Sequence, residues 1–303
     1  MAKDINDLGL SVEVKNKTTG EIDYISSTDT RSIQPISLLR LSVFSPVSSR
    51  EKKNVGSRVM DASEELRNLE IVNSEGYDRV TISGPKLDMD TDFRIWLSII
   101  QSLSEYPMVD NKVVLPFSDF AKMCDYNTRQ INKILKERVA KSLRKITSTS
   151  ISVYKDTGDD LISATTHLLN FSRVDTAANE VILEFNPKLS DLYKMDYKRV
   201  LKLKVFPAIK RNEVAKAIYA FLEGLPNSEN RVQIVSFERL MKRLNMRSDP
   251  YKQLEMVRRA MKLLEDVKYL KYTEGYRVSK GKRQVFFSIN SRDPDLLKNT
   301  DLD

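Results

Sequence analysis

Two clusters in this sequence combine residue types and spacing that could do chemistry. The first is Asp88-Met89-Asp90-Thr91-Asp92. An Asp-x-Asp pair can hold Mg²⁺ in a polymerase-like or primase-like site, because hard cations take carboxylate oxygens. The same residues stand directly before a helical pattern. There, carboxylates satisfy free backbone N–H groups and favour the positive end of the helix dipole. No companion acidic motif closes a clear strand elsewhere, so helix capping is preferred to metal binding, with Asp90 or Thr91 as the cap. The second cluster is basic: Arg129, Asn132, Lys133 and Lys136 stand at i, i+3, i+4 and i+7. On a helix over 128–146 they share one face opposite the apolar stripe of Ile131, Leu135, Val139, Leu143 and Ile146. In a major groove Arg can pair with guanine, Asn with adenine, and Lys can meet phosphate or guanine. The bland alternative is a solvated surface helix, and the surrounding elements decide between the two.

Other chemistry is thinly represented. His167 is the only histidine, so the paired histidines of a metal-dependent nickase are missing, and it is read as a structural strand residue. No Gly-x-x-x-x-Gly-Lys-Ser/Thr run is present to cradle a nucleotide's phosphates. Cys124 is the only cysteine, which excludes an intramolecular disulfide and a Cys-cluster zinc site. It falls on the apolar side of a short helix and is read as core. No cofactor, metal or enzymatic reaction is expected.

The elements around the basic helix give it meaning. Phe93, Trp96, Leu97, Ile100 and Leu103 recur at helical spacing, and Pro107 ends that helix. Val113-Val114-Leu115 is a short strand, and Phe117, Phe120 and Cys124 at spacing 0, 3, 7 form one face of a two-turn helix. A turn at 125–127 leads into the basic helix. Strand-like segments at 149–154, 163–171 and 181–185 complete the unit, with turns at Gly158 and Asn179. The order helix, strand, helix, turn, helix, hairpin is that of a winged helix-turn-helix.

That order then recurs. Val214, Ile218, Phe221, Leu222 and Leu225 form a helix, Val232-Gln233-Ile234-Val235 a strand, and Phe237, Leu240 and Leu244 repeat the 0, 3, 7 spacing. A turn over 245–250 leads to a helix with Leu254, Val257, Met261 and Leu264 inward. Its outer side offers Tyr251, Lys252, Glu255, Arg258, Arg259 and Lys262. A hairpin from 269–273 and 284–289 follows, with Arg277 and a tip carrying Lys280, Lys282 and Arg283. Wing cations of this kind reach phosphate and fix position more than sequence. The DNA-contact candidates are therefore Arg129, Asn132, Lys133, Lys136, Tyr251, Lys252, Arg258, Arg259, Lys280, Lys282 and Arg283.

The fold class expected is α+β: tandem winged-helix domains over 31–190 and 191–292, a flexible arm over 1–30 and a tail over 293–303. Within the arm only Ile22-Asp23-Tyr24-Ile25 reads as a short strand. After it, Ile36, Leu38, Leu39, Leu41, Val43 and Phe44 read as a strand, and 48–58 as a basic loop. Residues 61–69 read as a helix capped by Asp61, and Val80-Thr81-Ile82 as a strand. A length of 303 residues suits about two domains, and 41% hydrophobic residues suffice for real cores. The net charge of +8 and pI near 9.3 are compatible with a polyanionic partner, though charge alone does not choose nucleic acid over another polyanion. No apolar h-region opens the chain and no apolar run reaches membrane-spanning length, so a cytoplasmic protein without a membrane partner is expected.

At this point several stretches resemble a known family. Gln34-Pro35-Ile36-Ser37-Leu38-Leu39-Arg40-Leu41-Ser42-Val43-Phe44 is similar to the opening of RepFIB-type plasmid replication initiators. So are 61–66, 82–93, Leu115-Pro116-Phe117-Ser118-Asp119-Phe120-Ala121-Lys122-Met123-Cys124, and Val257-Arg258-Arg259-Ala260-Met261. The resemblance runs from about 33 to 290. It implies an initiator of theta replication that binds repeated origin sequences, iterons, through tandem winged helices. It also implies recruitment of the host initiator and replicative helicase, and repression of its own gene at operator repeats. In the wider family monomers favour iterons, while homodimers repress or pair origins to limit copy number. A dedicated winged-helix transcriptional repressor without an initiation role is the alternative reading.

Overall fold

The computed structural model describes residues 9–15, 22–48, 51, 57–61, 79–156, 161–226, 232–279 and 282–292. Strands β1 (Val12–Lys15) and β2 (Ile22–Ile25) pair antiparallel. The described part of the expected flexible arm is thus a hairpin held to the body: Leu10 is fully buried, and Lys198 Nζ donates to the carbonyls of Gly9 and Ser11 at 3.0 and 2.9 Å. Strand β3 (Arg31–Pro35) leads directly into a short helix, α1 (Ile36–Arg40), where the apolar run suggested a strand. The run is displaced from strand to helix because outside partners satisfy its first amides. Ile36 N donates to the carbonyl of Tyr197 and Ser37 N to Asp196 Oδ2, at 2.8 and 2.7 Å. Leu38 and Leu39 still go inward.

Strands β4 (Ser57–Asp61) and β5 (Arg79–Pro85) pair antiparallel, and Asp61 closes β4. The helix expected over 61–69 otherwise lies outside the described residues, as does most of the basic loop. Gly84 sits in β5 at φ +134°, where a Cβ would stand 2.7 Å from the Ser148 carbonyl, so a side chain there meets both strain and backbone. Helix α2 (Asp92–Glu105) follows and is buried on nearly every side, with Phe93, Ile95, Trp96, Ile99 and Ile100 all inward.

The first winged helix is built on α2. It comprises β6 (Lys112–Pro116), α3 (Phe117–Met123), a 3₁₀ turn (Thr128–Gln130) and α4 (Lys133–Thr147). Then come β7 (Ser150–Asp156), β8 (Leu161–His167), β9 (Phe171–Asp175) and β10 (Glu180–Glu184). The strands after α4 do not form one set, contrary to expectation. β9 and β10 are the wing and pair with β6 in the order β6-β10-β9, whereas β7 and β8 join a separate sheet ordered β4-β5-β7-β8. Alternating apolar residues mark a strand but not its partner, and β7 finds β5 some seventy residues upstream.

Helix α5 (Pro187–Met195) crosses residue 190, where the two units are expected to divide. Strand β11 (Lys198–Lys202) then pairs antiparallel with β3. After α6 (Val205–Ala208), the second winged helix comprises α7 (Glu213–Glu223), β12 (Gln233–Ser236), α8 (Phe237–Leu244), α9 (Pro250–Asp266), β13 (Leu270–Ser279) and β14 (Lys282–Arg292). Its sheet is ordered β12-β14-β13, the same arrangement as β6-β10-β9. The 0, 3, 7 faces do the same job in both copies. Phe117, Phe120 and Cys124 are fully buried, and Leu240 and Leu244 nearly so, with Phe237 at the edge. No helix of the described residues is long and apolar enough to cross a membrane.

The cores of the two units are continuous. Rings of Phe44, Phe93, Phe206, Tyr219 and Tyr269 follow one another with centroids 4.8–5.8 Å apart, from α2 through α6 to α7 and the start of the second wing. Segment 31–44 binds both halves. Gln34 Oε1 accepts from Trp96 Nε1 and Tyr193 OH, while the buried Arg243 of α8 donates to the carbonyls of Leu39 and Phe44.

Candidate nucleic-acid interface

Helix α4 begins later than its periodicity suggests. Asn127 Oδ1 accepts from Arg129 N at 3.0 Å and closes the 3₁₀ turn. Asn132 then adopts extended backbone, and its Oδ1 accepts from Leu135 N at 2.9 Å as the N-cap of α4. Arg129, Asn132, Lys133 and Lys136 therefore do not share one continuous helical face. Arg129 is exposed on the turn, Asn132 is committed at Oδ1 to the cap, and Lys133 is 87% exposed beside Glu137 at 4.0 Å. Lys136 is half-buried, its Nζ 5.5 Å from the Phe117 ring centroid, a cation–π distance.

The outer surface of α4 instead presents Lys133, Ile134, Arg138, Lys141 and Arg144, all exposed. Ile134, at 67% exposure, is an apolar side chain in the first turn of a basic helix and suits contact with a thymine methyl. Its signal was present in the sequence: it lies off the 131, 135, 139 stripe. The inner side of the helix is anchored by polar bonds to the acidic cluster. Asp92 accepts from Ser142 Oγ at 2.5 Å and pairs with Lys145, while Asp88 stands 4.0 Å from the same ammonium.

Each carboxylate of that cluster has a structural partner. Thr91 is the N-cap residue of α2 by position, while the side chain that bonds the amides leading into the helix is that of Asp88. Its Oδ1 accepts from Asp90 N and Thr91 N at 3.0 and 2.6 Å, and Thr91 makes no side-chain cap bond. Asp90 reaches Lys216 of α7 at 2.6 Å. Among the described residues no group of three or more His, Cys, Asp or Glu is arranged to hold a metal ion. His167 stands exposed at the end of β8, and Cys124 is buried, its thiol pushed up to about 12 mainly by that burial.

In the second unit Asp249 caps α9 through Tyr251 N at 2.9 Å, and Pro250 takes the first helical position, where its missing N–H costs nothing. Tyr251 is 71% exposed, and Lys252 and Arg259 are exposed beside it. Arg258 is turned to the wing: it bonds Glu274 of β13 and Glu255 of its own helix. Lys262 is tied to Glu265 and Asp266 at 3.2 and 3.1 Å. On the wing, Arg277 and Val278 are exposed. Lys280 lies outside the described residues. Lys282 and Arg283 open β14 opposite Ser279 and Val278 in the strand register.

The arrangement is thus two copies of one fold, each offering an exposed, capped helix with cations and a wing beside it. A family model described as "Initiator Replication protein, WH1" matches residues 77–223, which contain β5 through α7. RepFIB replication protein A of Escherichia coli is 39% identical over 284 residues, covering 93% of this chain and 85% of that protein. Replication protein RepA of Salmonella typhi is 36% identical over 283 residues, covering 93% and 78%. Among solved structures, domains 2 and 3 of RctB superpose with a TM-score of 0.51 at 12% identity, over 86% of this chain and 99% of that one. That likeness is one of fold and agrees with the tandem winged helices. With this identity sustained over nearly the whole chain, the protein belongs to the RepFIB replication protein A (RepA) family of plasmid replication initiators, non-enzymatic DNA-binding proteins.

Proposed function

We propose that this initiator binds iterons at its plasmid's origin with both winged-helix units, one over 31–190 and one over 191–292. The observation carrying this reading is the repeated presentation of an exposed helix: Lys133, Ile134, Arg138 and Lys141 on α4, and Tyr251, Lys252 and Arg259 on α9. Arg129, Lys133, Lys252 and Arg259 are the candidates for base or phosphate contact at the helix starts. Asn132 is left with its amide NH₂ for that purpose, and Lys136 with a flanking role. Lys280, Lys282, Arg283 and Arg277 reach phosphate or minor groove from the second wing. Arg258 serves in holding that wing.

Binding at the iterons opens an AT-rich stretch in the cytoplasm and brings in the host initiator and the replicative helicase. The same surfaces, in a homodimer, repress the protein's own gene at operator repeats. These steps rest on family membership and on the two basic helices. Footprinting of the purified chain on DNA flanking its gene tests the reading. A ladder of protections spaced by whole helical turns is expected, and its presence in a replicon that the gene maintains separates initiation from repression alone. Uniform, sequence-independent protection overturns it.

A further inference from the structure

We infer that the Asp90–Lys216 pair sets the distance and rotation between the two recognition helices, and so determines which spacing of half-sites the protein accepts. The inference rests on the two-unit binding reading and adds a specificity determinant outside the DNA-facing surface. Asp90 Oδ1 lies 2.6 Å from Lys216 Nζ; the lysine side chain is 5% exposed and the aspartate 25%. The pair spans the units, since Asp90 precedes α2 and Lys216 lies on α7.

Asp90 is also two residues from both carboxylates that hold α4. Asp92 accepts from Ser142 and pairs with Lys145, and Asp88 caps the same turn. Met89 N donates to Glu213 Oε2 at 3.4 Å, adding a second tie from this turn to the start of α7. Helix α7 in turn packs against α9. One five-residue turn therefore connects α4 to α7 through side-chain bonds, and α7 reaches α9 by packing, without passing through the wings.

The aromatic ladder from Phe93 to Tyr219 is non-directional and tolerates sliding, and the directional bonds that also cross between the units, the β3–β11 pairing and the bonds of Arg243 to the Leu39 and Phe44 carbonyls, hold segment 31–44 rather than α4. The Asp90–Lys216 pair instead ties the turn that holds α4 to α7, and the geometry of a largely buried ion pair specifies one register, which is the best-attested use of such a pair. Two half-sites on a duplex are related by roughly 3.4 Å and 34° per base pair. A rigid reader gains from both only at one spacing, and loses the gain when geometry forbids simultaneous engagement.

The test uses the full chain, the wild type against Lys216→Met, Asp90→Asn and the swap Asp90→Lys/Lys216→Asp. The probes are one footprinted repeat from the DNA beside the gene, its isolated halves, and versions with two base pairs inserted or deleted at its centre. Circular dichroism and thermal melting verify folding. Lys216→Met keeps most of the lysine's apolar stem and strands only the Asp90 carboxylate, which is 25% exposed, so it reports even where Asp90→Asn, which strands the buried ammonium, does not fold. The wild type is expected to lose at least about tenfold in affinity on respaced DNA, since avidity depends on both sites being in reach. Lys216→Met is expected to lose no more than about threefold on respacing, to bind the native spacing more weakly, and to bind half-sites within about twofold of wild type. Recovery of spacing selectivity in the swap supports the pair itself as its cause. A spacing penalty shared equally by the wild type and Lys216→Met overturns the inference and leaves two-unit binding intact. A wild type that binds one half as tightly as the whole repeat removes the two-unit reading, and this inference with it.

Discussion

Arg258 grips Glu274 with two nitrogens across the seam between α9 and β13: Nε lies 3.0 Å from Oε2 and Nη2 2.6 Å from Oε1. Tyr276 OH donates to the same carboxylate at 3.1 Å, and Glu255 holds the third nitrogen, Nη1, at 3.0 Å. These carboxylates raise the guanidinium's affinity for its proton still further. A fork-to-carboxylate pair fixes orientation as well as distance, so the bond sets the angle of the wing relative to the recognition helix.

This makes a prediction opposite to simple charge counting. Glu274→Ala removes a negative charge near the DNA-facing surface, yet it is expected to weaken DNA binding by about 1 kcal/mol, the scale of a well-formed partly exposed pair. Arg258→Ala should lose a similar amount, and the double variant no more than either. Anisotropy titrations across salt concentrations distinguish the roles: a lost phosphate contact lowers the log–log salt slope by about 0.9, whereas a displaced wing clamp leaves it unchanged. A slope reduced in Arg258→Ala returns that residue to the DNA.

The cap of α4 gives a second test. Asn132→Ala is expected to lower folding stability by about 1 kcal/mol, and Asn132→Ser to restore it, because serine caps nearly as well. If the amide NH₂ of Asn132 also reads a base, the serine variant regains stability but not affinity. Urea unfolding beside binding to a footprinted repeat measures both.

How far the sequence revealed these roles depended on the range of the interaction. Phe117, Phe120 and Cys124 were legible because a helix brings residues three and seven apart onto one face, whatever the rest of the chain does. The break before α4 was obscured because Ile131 and Leu135 continue the apolar stripe through it, so the pattern reads as one helix over 128–146. Arg258 reads from its spacing as a DNA-facing cation on the outer side of α9, but its partner Glu274 arrives from β13, sixteen residues on, and no local pattern announces that. The acidic cluster read as capping, which Asp88 does. Its other two carboxylates answer Lys145 and Lys216, 53 and 126 residues away.

Arg243 offers a test of how segment 31–44 is attached. Its guanidinium is buried and donates to the Leu39 carbonyl at 3.2 Å and the Phe44 carbonyl at 2.8 Å, and Ser42 Oγ donates back to the Arg243 carbonyl at 2.6 Å. Hydrogen bonds from a charged donor to buried acceptors each contribute more than neutral ones, and the acceptors left behind are costly. Arg243→Ala should destabilise the chain by about 3 kcal/mol. Hydrogen exchange should show the loss around Leu39 to Phe44, distant from both recognition helices. Unaltered protection there would mean that the carbonyls have found other donors.

Asp92 predicts an inverted pH dependence. Burial, joined by the negative charge of Asp88, pushes its carboxyl up to about 6, against the opposing pull of Lys145 and Ser142. Between the ordinary carboxylate value near 3.8 and 6, the folded chain keeps a proton that the unfolded chain has released. The folded state binds more protons in that window, so this group's contribution to stability falls as pH rises through it, and is constant above and below. An aspartate whose pairing outweighs its burial does the reverse. Asparagine at this position cannot titrate, so the stability of wild type minus that of Asp92→Asn should fall by about 1–3 kcal/mol from pH 4 to pH 7. Urea unfolding of both proteins at unit pH steps measures that difference directly and cancels the titration of every other group the two share. A difference that instead rises between pH 3 and 4 would mean that Lys145 and Ser142 overcome the burial, leaving Asp92 ionised throughout the neutral range.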